Sequence, residues 1–180
     1  MSARPSLIAV DGANGPALIA AARRLTPKKE SIRRVSRWDA SGLFEQLVMA
    51  GDDISTVSPR LLLLLYAADL AFRLRWEIEP ALAEGHTVVA APYVDTAIAF
   101  GRASGLPMKW LRGLFLFARK PSRRHRVGGT PATTGRAEAG FIEFGCAHRT
   151  PLDGRELAAR TRDYLQTGRG SGERRRLRRR

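Results

Sequence analysis

Short apolar runs alternate with longer amphipathic segments in the first half of the chain. The run at 7–10 ends in an Asp-Gly turn, and strong helix formers follow from Pro16, which predicts a strand, a glycine turn and a helix. A second unit has a short apolar strand at 32–35 and a helix over 39–49, with Asp39 as a suitable N-cap residue. The pattern therefore predicts two successive strand-helix units.

The middle of the chain contains the clearest helix, over 60–84, where leucine and alanine recur at helical spacing. A β-branched run at 87–91 suits a buried parallel strand. Helical patterns follow at 96–104 and 107–118, although 114–118 also fits a strand, and periodicity does not separate the two. This alternation predicts a three-layer α/β fold, a mostly parallel sheet flanked by helices, with ligands bound at the carboxyl ends of the strands.

The C-terminal third has a different composition. Gly, Pro, Ser and Thr predict a loop over 121–135, a short apolar run predicts a strand at 140–145, and a capped amphipathic segment predicts a final helix over 153–166. A length of 180 residues suits a single core. We therefore predict one domain over 1–168 and a basic tail over 169–180.

The chain is strongly basic. Lys and Arg number 31 against 17 Asp and Glu, which gives a formal net charge of +14. The charge is densest at the terminus, in a run made of Arg174, Arg175, Arg176, Arg178, Arg179 and Arg180. Such a run is typical of a solvated tail, and it also binds DNA or RNA backbone without sequence preference through counterion release.

Cysteine content and hydropathy exclude several classes of protein. Cys146 is the only cysteine, which excludes an internal disulfide and any multi-cysteine metal site. The longest apolar run, Leu61–Ala68, is far shorter than the roughly 20 residues that cross a bilayer. We therefore expect a cytoplasmic protein with no metal and no membrane partner.

Residues 58–101 resemble the central part of thymidylate kinases. That family has a leucine-rich helix, a "PAL..G" turn, a strand and a "DRY.DS..AYQ" loop, and the segment from SPRLLLLLYAADL to APYVDTAIAFG keeps this order. Upstream, IAVDGANGPALIAAARRL stands where the family has its first strand, its P-loop and its first helix. The resemblance covers about residues 6–118 and implies a P-loop kinase-like fold.

The segment that corresponds to the P-loop departs from the family pattern. A working loop needs glycines whose N–H groups cradle phosphates, a Lys that reaches the β- and γ-phosphates, and a Ser or Thr hydroxyl on Mg²⁺. When this segment is laid on the P-loop motif, Leu18 replaces the Lys and Ile19 replaces the hydroxyl residue. The residues of this vestigial phosphate loop are Gly12, Asn14, Gly15, Ala17, Leu18 and Ile19.

The second loop of the resemblance, which follows the strand predicted at 87–91, also lacks charged residues of the family pattern. Ala91 and Pro92 replace the family's Asp-Arg, and Pro92 removes a backbone donor. The resemblance leaves four possible substrate-pocket residues: Arg37, Tyr93, Asp95 and Phe100. Arg37 suits a phosphate contact and a solvated surface equally, and Asp95 also suits a helix N-terminus without any ligand.

Phosphoryl transfer depends on positioning and on positive charge, so these losses act on one transition state. We expect a catalytically degenerate thymidylate kinase-like protein without catalytic residues or a cofactor, acting as a binding or regulatory partner or as a dimer subunit. The five leucines of 61–65 favour association, because one helix face cannot bury them all internally. Two alternatives stay open: a divergent nucleotide kinase with cations from Lys28, Lys29 or 121–126, and a nucleic-acid-binding protein that uses its tail.

Overall fold

The computed structural model describes residues 5–26, 34–49, 57–129, 140–147 and 154–167. The strands are β1 (Ser6–Gly12), β2 (Arg34–Arg37), β3 (Thr87–Ala91) and β4 (Arg123–Val127). The helices are α1 (Gly15–Leu25), α2 (Leu43–Met49), α3 (Pro59–Arg73), α4 (Glu79–Ala83), α5 (Val94–Ala103), α6 (Met108–Leu114), α7 (Phe141–Ala147) and α8 (Gly154–Thr167). A π-helical segment, Leu74–Ile78, joins α3 to α4.

The four described strands form one parallel sheet in the order β2-β3-β1-β4. Alternate residues of β1 serve two cores: Ile8 and Val10 pack with α1, whereas Leu7 and Ala9 pack into the larger core that contains α3, α5, α7 and α8. Helices therefore cover both faces of the sheet, and the predicted α/β fold class is confirmed. None of the helices in the described ranges is long and apolar enough to cross a bilayer.

The predicted long helix of 60–84 is present but changes its winding near Pro80. Pro80 has no N–H to donate and its ring crowds the carbonyl of the preceding turn, so a regular α-helical turn is strained there. The chain widens instead, and the N–H of Glu79 bonds to the carbonyl of Leu74, five residues earlier. The helical axis thus continues past the proline into α4.

The start of α2 differs from the sequence prediction. Asp39 is not the N-cap residue, because the helix begins at Leu43 and Asp39 lies in a turn with φ of 59°. Its carboxylate still accepts hydrogen bonds from the N–H groups of Phe44 and Glu45, at 2.8 and 2.9 Å. Asp39 therefore bonds to open N–H groups of the helix as predicted for a capping side chain, although the helix begins three residues later than an N-cap at this position would place it.

Two C-terminal predictions are also corrected. The predicted loop over 121–135 contains the strand β4, which pairs with β1; its charged side chains gave no apolar pattern from which a strand could be predicted. The strand predicted at 140–145 is instead the helix α7, in which six consecutive residues are buried, so no helical period is visible. The alternative strand at 114–118 is absent, since α6 continues to Leu114 and a turn follows. The predicted tail over 169–180 lies outside the described residues.

Candidate functional site

A buried carboxylate ties the loop after β1 to the loop after β3. Oδ1 of Asp11 accepts hydrogen bonds from the N–H of Tyr93 at 3.0 Å, the N–H of Thr96 at 2.9 Å and the Thr96 hydroxyl at 2.8 Å. The Thr96 hydroxyl in turn accepts a hydrogen bond from the N–H of Gly12 at 3.1 Å. The carboxyl ends of the two neighbouring strands are therefore fixed to each other by side chains.

Asp11 has an unusual protonation equilibrium because it is almost completely buried. The pKa of Asp11 is raised to about 6, mainly by burial and also by the nearby negative charge of Asp95, although the hydrogen bonds from Thr96 and Tyr93 oppose the rise. A carboxyl group with a raised pKa holds its proton more tightly in the folded state than in the unfolded state. Acid therefore favours folding through this group.

We predict that Asp11→Asn removes a pH dependence of stability. Between the unfolded pKa of 3.8 and the folded pKa of about 6, the folded protein binds more protons, so its free energy of unfolding falls as pH rises. The fall amounts to roughly 3 kcal/mol for this group. The Asn oxygen can accept the same three hydrogen bonds without carrying a charge. Urea denaturation at several pH values between 4 and 7 measures the difference, and parallel pH profiles for both proteins would contradict the prediction.

The N-terminus of α1 is occupied by side chains of the chain itself. Oε1 of Glu143 accepts a hydrogen bond from the N–H of Gly15 at 2.7 Å, and Glu143 is only 1% exposed. Oδ1 of Asn14, the N-cap residue, accepts from the N–H of Ala17 at 2.8 Å. In a phosphate loop such N–H groups face the anion. Here the Glu143 carboxylate, from α7, accepts a hydrogen bond from one of these N–H groups, and the side-chain oxygen of Asn14 accepts from another.

The backbone also approaches this loop closely. A methyl group added at Gly140 would lie 2.9 Å from the Cα atom of Gly15, and Gly140 has a φ of 135°. A methyl group added at Gly129 would lie 3.0 Å from Cβ of Asn14. Only glycine fits these two approaches. The segments after β4 and before α7 therefore pack directly against the loop.

The first turn of α1 consists of Gly15, Pro16 and Ala17, and none of them carries a cation or a hydroxyl. Leu18 lies one position further on and packs into the α1-side core, and Ile19 is only partly buried. Leu18 therefore contributes to the core and does not project into the phosphate loop. The groups that bind phosphate and metal in a P-loop have no counterpart in this turn.

Two of the candidate substrate-pocket residues are core residues. The Tyr93 hydroxyl donates to the carbonyl of Arg119 at 2.6 Å, and the Tyr93 carbonyl accepts from the Tyr66 hydroxyl at 2.8 Å. Burial raises the pKa of Tyr93 to about 12. Phe100 is fully buried, with its ring centroid 5.1 Å from that of Phe141. The space beside these two side chains is filled by protein.

The other two candidates lie nearer the surface. Asp95, in the first turn of α5, forms ion pairs with Arg124 at 2.7 Å and with Arg126 at 3.4 Å. Arg37 is exposed at the end of β2. The structure joins Asp95 to β4 and brings Arg37 into none of these contacts.

The helix α7 contributes two aromatic rings to a cluster in the core. Phe141 and Phe144 are completely buried, and their rings lie among four others at centroid distances between 4.5 and 6.0 Å: Trp38, Phe44, Tyr66 and Phe100. A methyl group added at Gly145 would lie 2.6 Å from the ring of Phe100. Edge-to-face packing of this kind stabilises α7 in place, and α7 carries Glu143 to the first helix.

Sequence reasoning missed a buried ion pair beneath the second loop. Nε of Arg73 lies 3.1 Å from Oδ2 of Asp69, without hydrogen-bond alignment, and both side chains are completely buried. Both terminal nitrogens of Arg73 donate to the carbonyl of Pro92 at 3.1 Å, and Asp69 accepts from the N–H and hydroxyl of Ser41. The available signal was an Asp and an Arg four residues apart on an otherwise apolar helix.

Cys146 is not an activated nucleophile. Burial, together with the negative charge of Glu143, raises the pKa of the Cys146 thiol to about 12. A thiol reacts as its thiolate, so this one is inert at neutral pH. His148, the other member of the Cys-His pair in the sequence, lies outside the described residues. Within the described ranges, no three His, Cys, Asp or Glu side chains come together as a metal-ligand cluster.

Comparisons with known proteins agree with the resemblance. A probable thymidylate kinase of Pyrobaculum calidifontis is 30% identical over 102 residues, which are 57% of this chain and 51% of the relative. A thymidylate kinase of Desulfosudis oleivorans is 49% identical over 63 residues, 34% of this chain and 29% of that protein. The crystal structure of a thymidylate kinase from Ehrlichia chaffeensis matches with a TM-score of 0.64, at 15% identity, over 91% of this chain and 80% of that one. The chain is thymidylate kinase-like.

The sequence matches cover only part of each relative. The thymidylate kinase-like chain spans about half the length of the curated Pyrobaculum relatives it matches, 51% and 57% of the two. No protein-family model matches it. The structural similarity, at 15% identity, shows the fold, which includes a P-loop kinase-like arrangement of the parallel sheet and its helices.

Proposed function

We propose that this thymidylate kinase-like chain has no phosphoryl-transfer activity and acts by association, as one subunit of a homodimer. One observation carries the first half of the proposal: the carboxylate of Glu143 bonds to the first N–H of α1, at 2.7 Å, where a kinase of this fold would hold a phosphate. An anion that enters this position must displace a buried carboxylate of the same charge.

The charges near the loop support the same proposal. Asp11, Asp95 and Glu143 are acidic, and phosphoryl transfer requires positive groups that neutralise the charge on the transferred phosphoryl. Among the cations of 121–126, Arg124 and Arg126 are both paired with Asp95. Lys28 and Lys29, the other cations considered for a divergent kinase, lie outside the described residues.

We expect no kinase activity toward thymidine monophosphate. Without a cation and a hydroxyl in the first turn of α1, the transition state loses the interactions that lower its free energy, and the expected loss in rate exceeds about 10³-fold. Release of ADP from Mg·ATP in the presence of the nucleotide measures this. ADP release that depends on the nucleotide and co-elutes with the protein in size-exclusion chromatography would support the divergent-kinase alternative instead.

The second half of the proposal rests on an exposed apolar face of α3 and the π-helical segment. Leu62 and Leu63 are completely buried in the chain's own core, so they are not free to contact another subunit. Four large apolar side chains with helical spacing remain on the outer face, between 39% and 65% exposed: Leu61, Leu64, Phe72 and Trp76. This stripe, which we call the α3 face, supports association, because a second copy of the chain offers the same apolar face in return.

We predict that Leu64→Glu disrupts this dimer. The substitution places a charge in the middle of the α3 face, where like charges from two subunits would meet across a symmetry axis. Light scattering on the wild type is expected to give a dimer mass, and on the variant a monomer mass. Leu116→Glu is the matched control, because Leu116 is 83% exposed after α6 and is not part of the α3 face. A monomeric wild type, or an equal effect of both variants, would contradict the prediction.

A further inference from the structure

The turn after α6 exposes two large apolar side chains, Leu116 and Phe117, which we call the exposed pair. Leu116 is 83% exposed and Phe117 is 47% exposed. Residues 57–129 are described without a gap, so the turn and the elements on either side of it are all in place. Single apolar residues are common on protein surfaces, whereas two adjacent ones on a turn offer one continuous apolar contact.

The fold holds the exposed pair outside the core, because the residues on both sides of it are fixed. Phe115 is buried, with its ring centroid 6.1 Å from that of Tyr66. After the pair, the carbonyl of Arg119 accepts a hydrogen bond from the Tyr93 hydroxyl at 2.6 Å. The Arg119 side chain also forms an ion pair with Glu79 at 2.8 Å. The exposure is therefore a property of an anchored turn.

The exposed pair lies in a basic part of the chain. Lys109 and Arg112, three residues apart on α6, are exposed, and so is Lys120 beyond the turn. These three cations form no ion pair with the described residues. The sequence has no Asp or Glu between Asp95 and Glu138. The exposed pair is thus accompanied by positive charge that the described part of the chain does not neutralise.

This combination narrows the choice of occupant. A second copy that docked through the same turn would bring cations opposite cations. A nucleic acid would match the charge but would gain little from a leucine beside it. The surface of an anionic bilayer matches both features, because its charged headgroups lie directly above an apolar layer.

We propose that the turn after α6 binds the surface of an anionic phospholipid bilayer, with the exposed pair between the acyl chains and Lys109, Arg112 and Lys120 at the headgroups. Peripheral contact of this kind needs no spanning segment, and the expectation of no membrane partner rested only on the lack of one. The contact uses no residue of the α3 face and none of the α1 loop. It is therefore independent of the proposed dimer and of the proposed loss of kinase activity.

Flotation of the full chain with vesicles tests the proposal. The vesicles contain equal parts of phosphatidylcholine and phosphatidylglycerol. Leu116→Ser is expected to weaken binding by about tenfold or more, because the buried leucine side chain is lost from the contact. Met49→Ser is the matched control, since Met49 is 80% exposed but lies on α2, whose only charged residue is Glu45. Its expected effect is less than about twofold. Equal binding of the wild type and Leu116→Ser would overturn the proposal in favour of charge attraction by the Arg-rich terminus.

A fluorescent label locates the contact. Cys146 is buried and its pKa is raised to about 12, so a cysteine introduced at the surface is labelled selectively. A polarity-sensitive dye on Leu116→Cys is expected to brighten and shift to the blue on these vesicles, and the same dye on Met49→Cys is expected to change little. An unchanged dye at position 116 would overturn the proposal.

Two further measurements test the other occupants. Light scattering without vesicles is expected to give the same mass for Leu116→Ser and the wild type, and a lower mass for the variant would overturn the proposal in favour of a second copy. Binding to a DNA duplex is expected to be equal for the two proteins. A loss of DNA binding in Leu116→Ser as large as its loss of vesicle binding would overturn the proposal in favour of nucleic acid.

Discussion

Replacing Asp69 by Ala is expected to lower the free energy of unfolding by about 3–5 kcal/mol, because a buried cation would be left without its partner. Asp69 and Arg73 are both completely buried, with 3.1 Å between Nε and Oδ2. Arg73 would keep its hydrogen bonds to the carbonyl of Pro92, but Asp69 is the carboxylate with which it forms an ion pair among the described residues. Urea denaturation at neutral pH measures the loss.

Two further variants separate the charge from the hydrogen bonds. Asp69→Asn can still accept from Ser41 but carries no charge, so it is expected to lose most of what Asp69→Ala loses. Adding Arg73→Met to Asp69→Asn removes the uncompensated cation, so the double variant is expected to be more stable than Asp69→Asn alone.

The helix α8 offers a matched control for the same spacing. Glu156 and Arg160 also form an ion pair four residues apart, but both are about half exposed. Glu156→Ala is expected to cost less than about 1 kcal/mol, because solvent screens the pair. Similar losses for Asp69→Ala and Glu156→Ala, or additive effects in the Asp69→Asn, Arg73→Met double variant, would contradict this expectation. Burial would then not explain the contribution of the Asp69–Arg73 pair to stability.

The ion pair of Asp69 and Arg73 also helps to fix the loop after β3. Arg73 holds the carbonyl of Pro92, and the next residue, Tyr93, donates its N–H to Asp11. The loop after β3 is thus fixed from below by a cation of α3 and from the side by a carboxylate of β1. Ala91 and Pro92, which stand where the family has Asp-Arg, are both buried at the start of this loop.

The sequence predicted the parts of the fold whose patterns are local. The run 7–10 followed by an Asp-Gly turn and Pro16 led to β1 and α1, and the β-branched run at 87–91 led to β3. The periodic leucines of α3 were also sufficient, although the π-helical segment before Pro80 was not visible in them. In each case the apolar pattern reflects one buried face or one fully buried strand.

The remaining elements depend on contacts that local patterns do not contain. β4 is a strand because it can pair with β1, and its largely exposed side chains tolerate a basic sequence with the composition of a loop. α7 is buried on all sides by rings from other elements, so its apolar run has no period. Glu143 could not be connected to Gly15 from the sequence, because 128 residues separate them.

The proposed loss of phosphate binding has two separable causes, and one variant distinguishes them. Glu143→Ala removes the carboxylate from the N-terminus of α1 but supplies neither the cation nor the hydroxyl that the first turn lacks. If the missing cation and hydroxyl dominate, the dissociation constant of this variant for Mg·ATP is also about 1 mM or weaker. If the carboxylate alone blocks the site, Glu143→Ala gains affinity into the micromolar range.

The most direct test of the central claim is calorimetric titration of the wild-type chain with Mg·ATP. Because Glu143 occupies the first N–H of α1 and the first turn has no phosphate-binding side chain, we predict a dissociation constant of about 1 mM or weaker. The same titration with EDTA in place of Mg²⁺ is expected to look unchanged. A dissociation constant in the low micromolar range that requires Mg²⁺ would contradict the account and would identify the chain as a nucleotide-binding kinase.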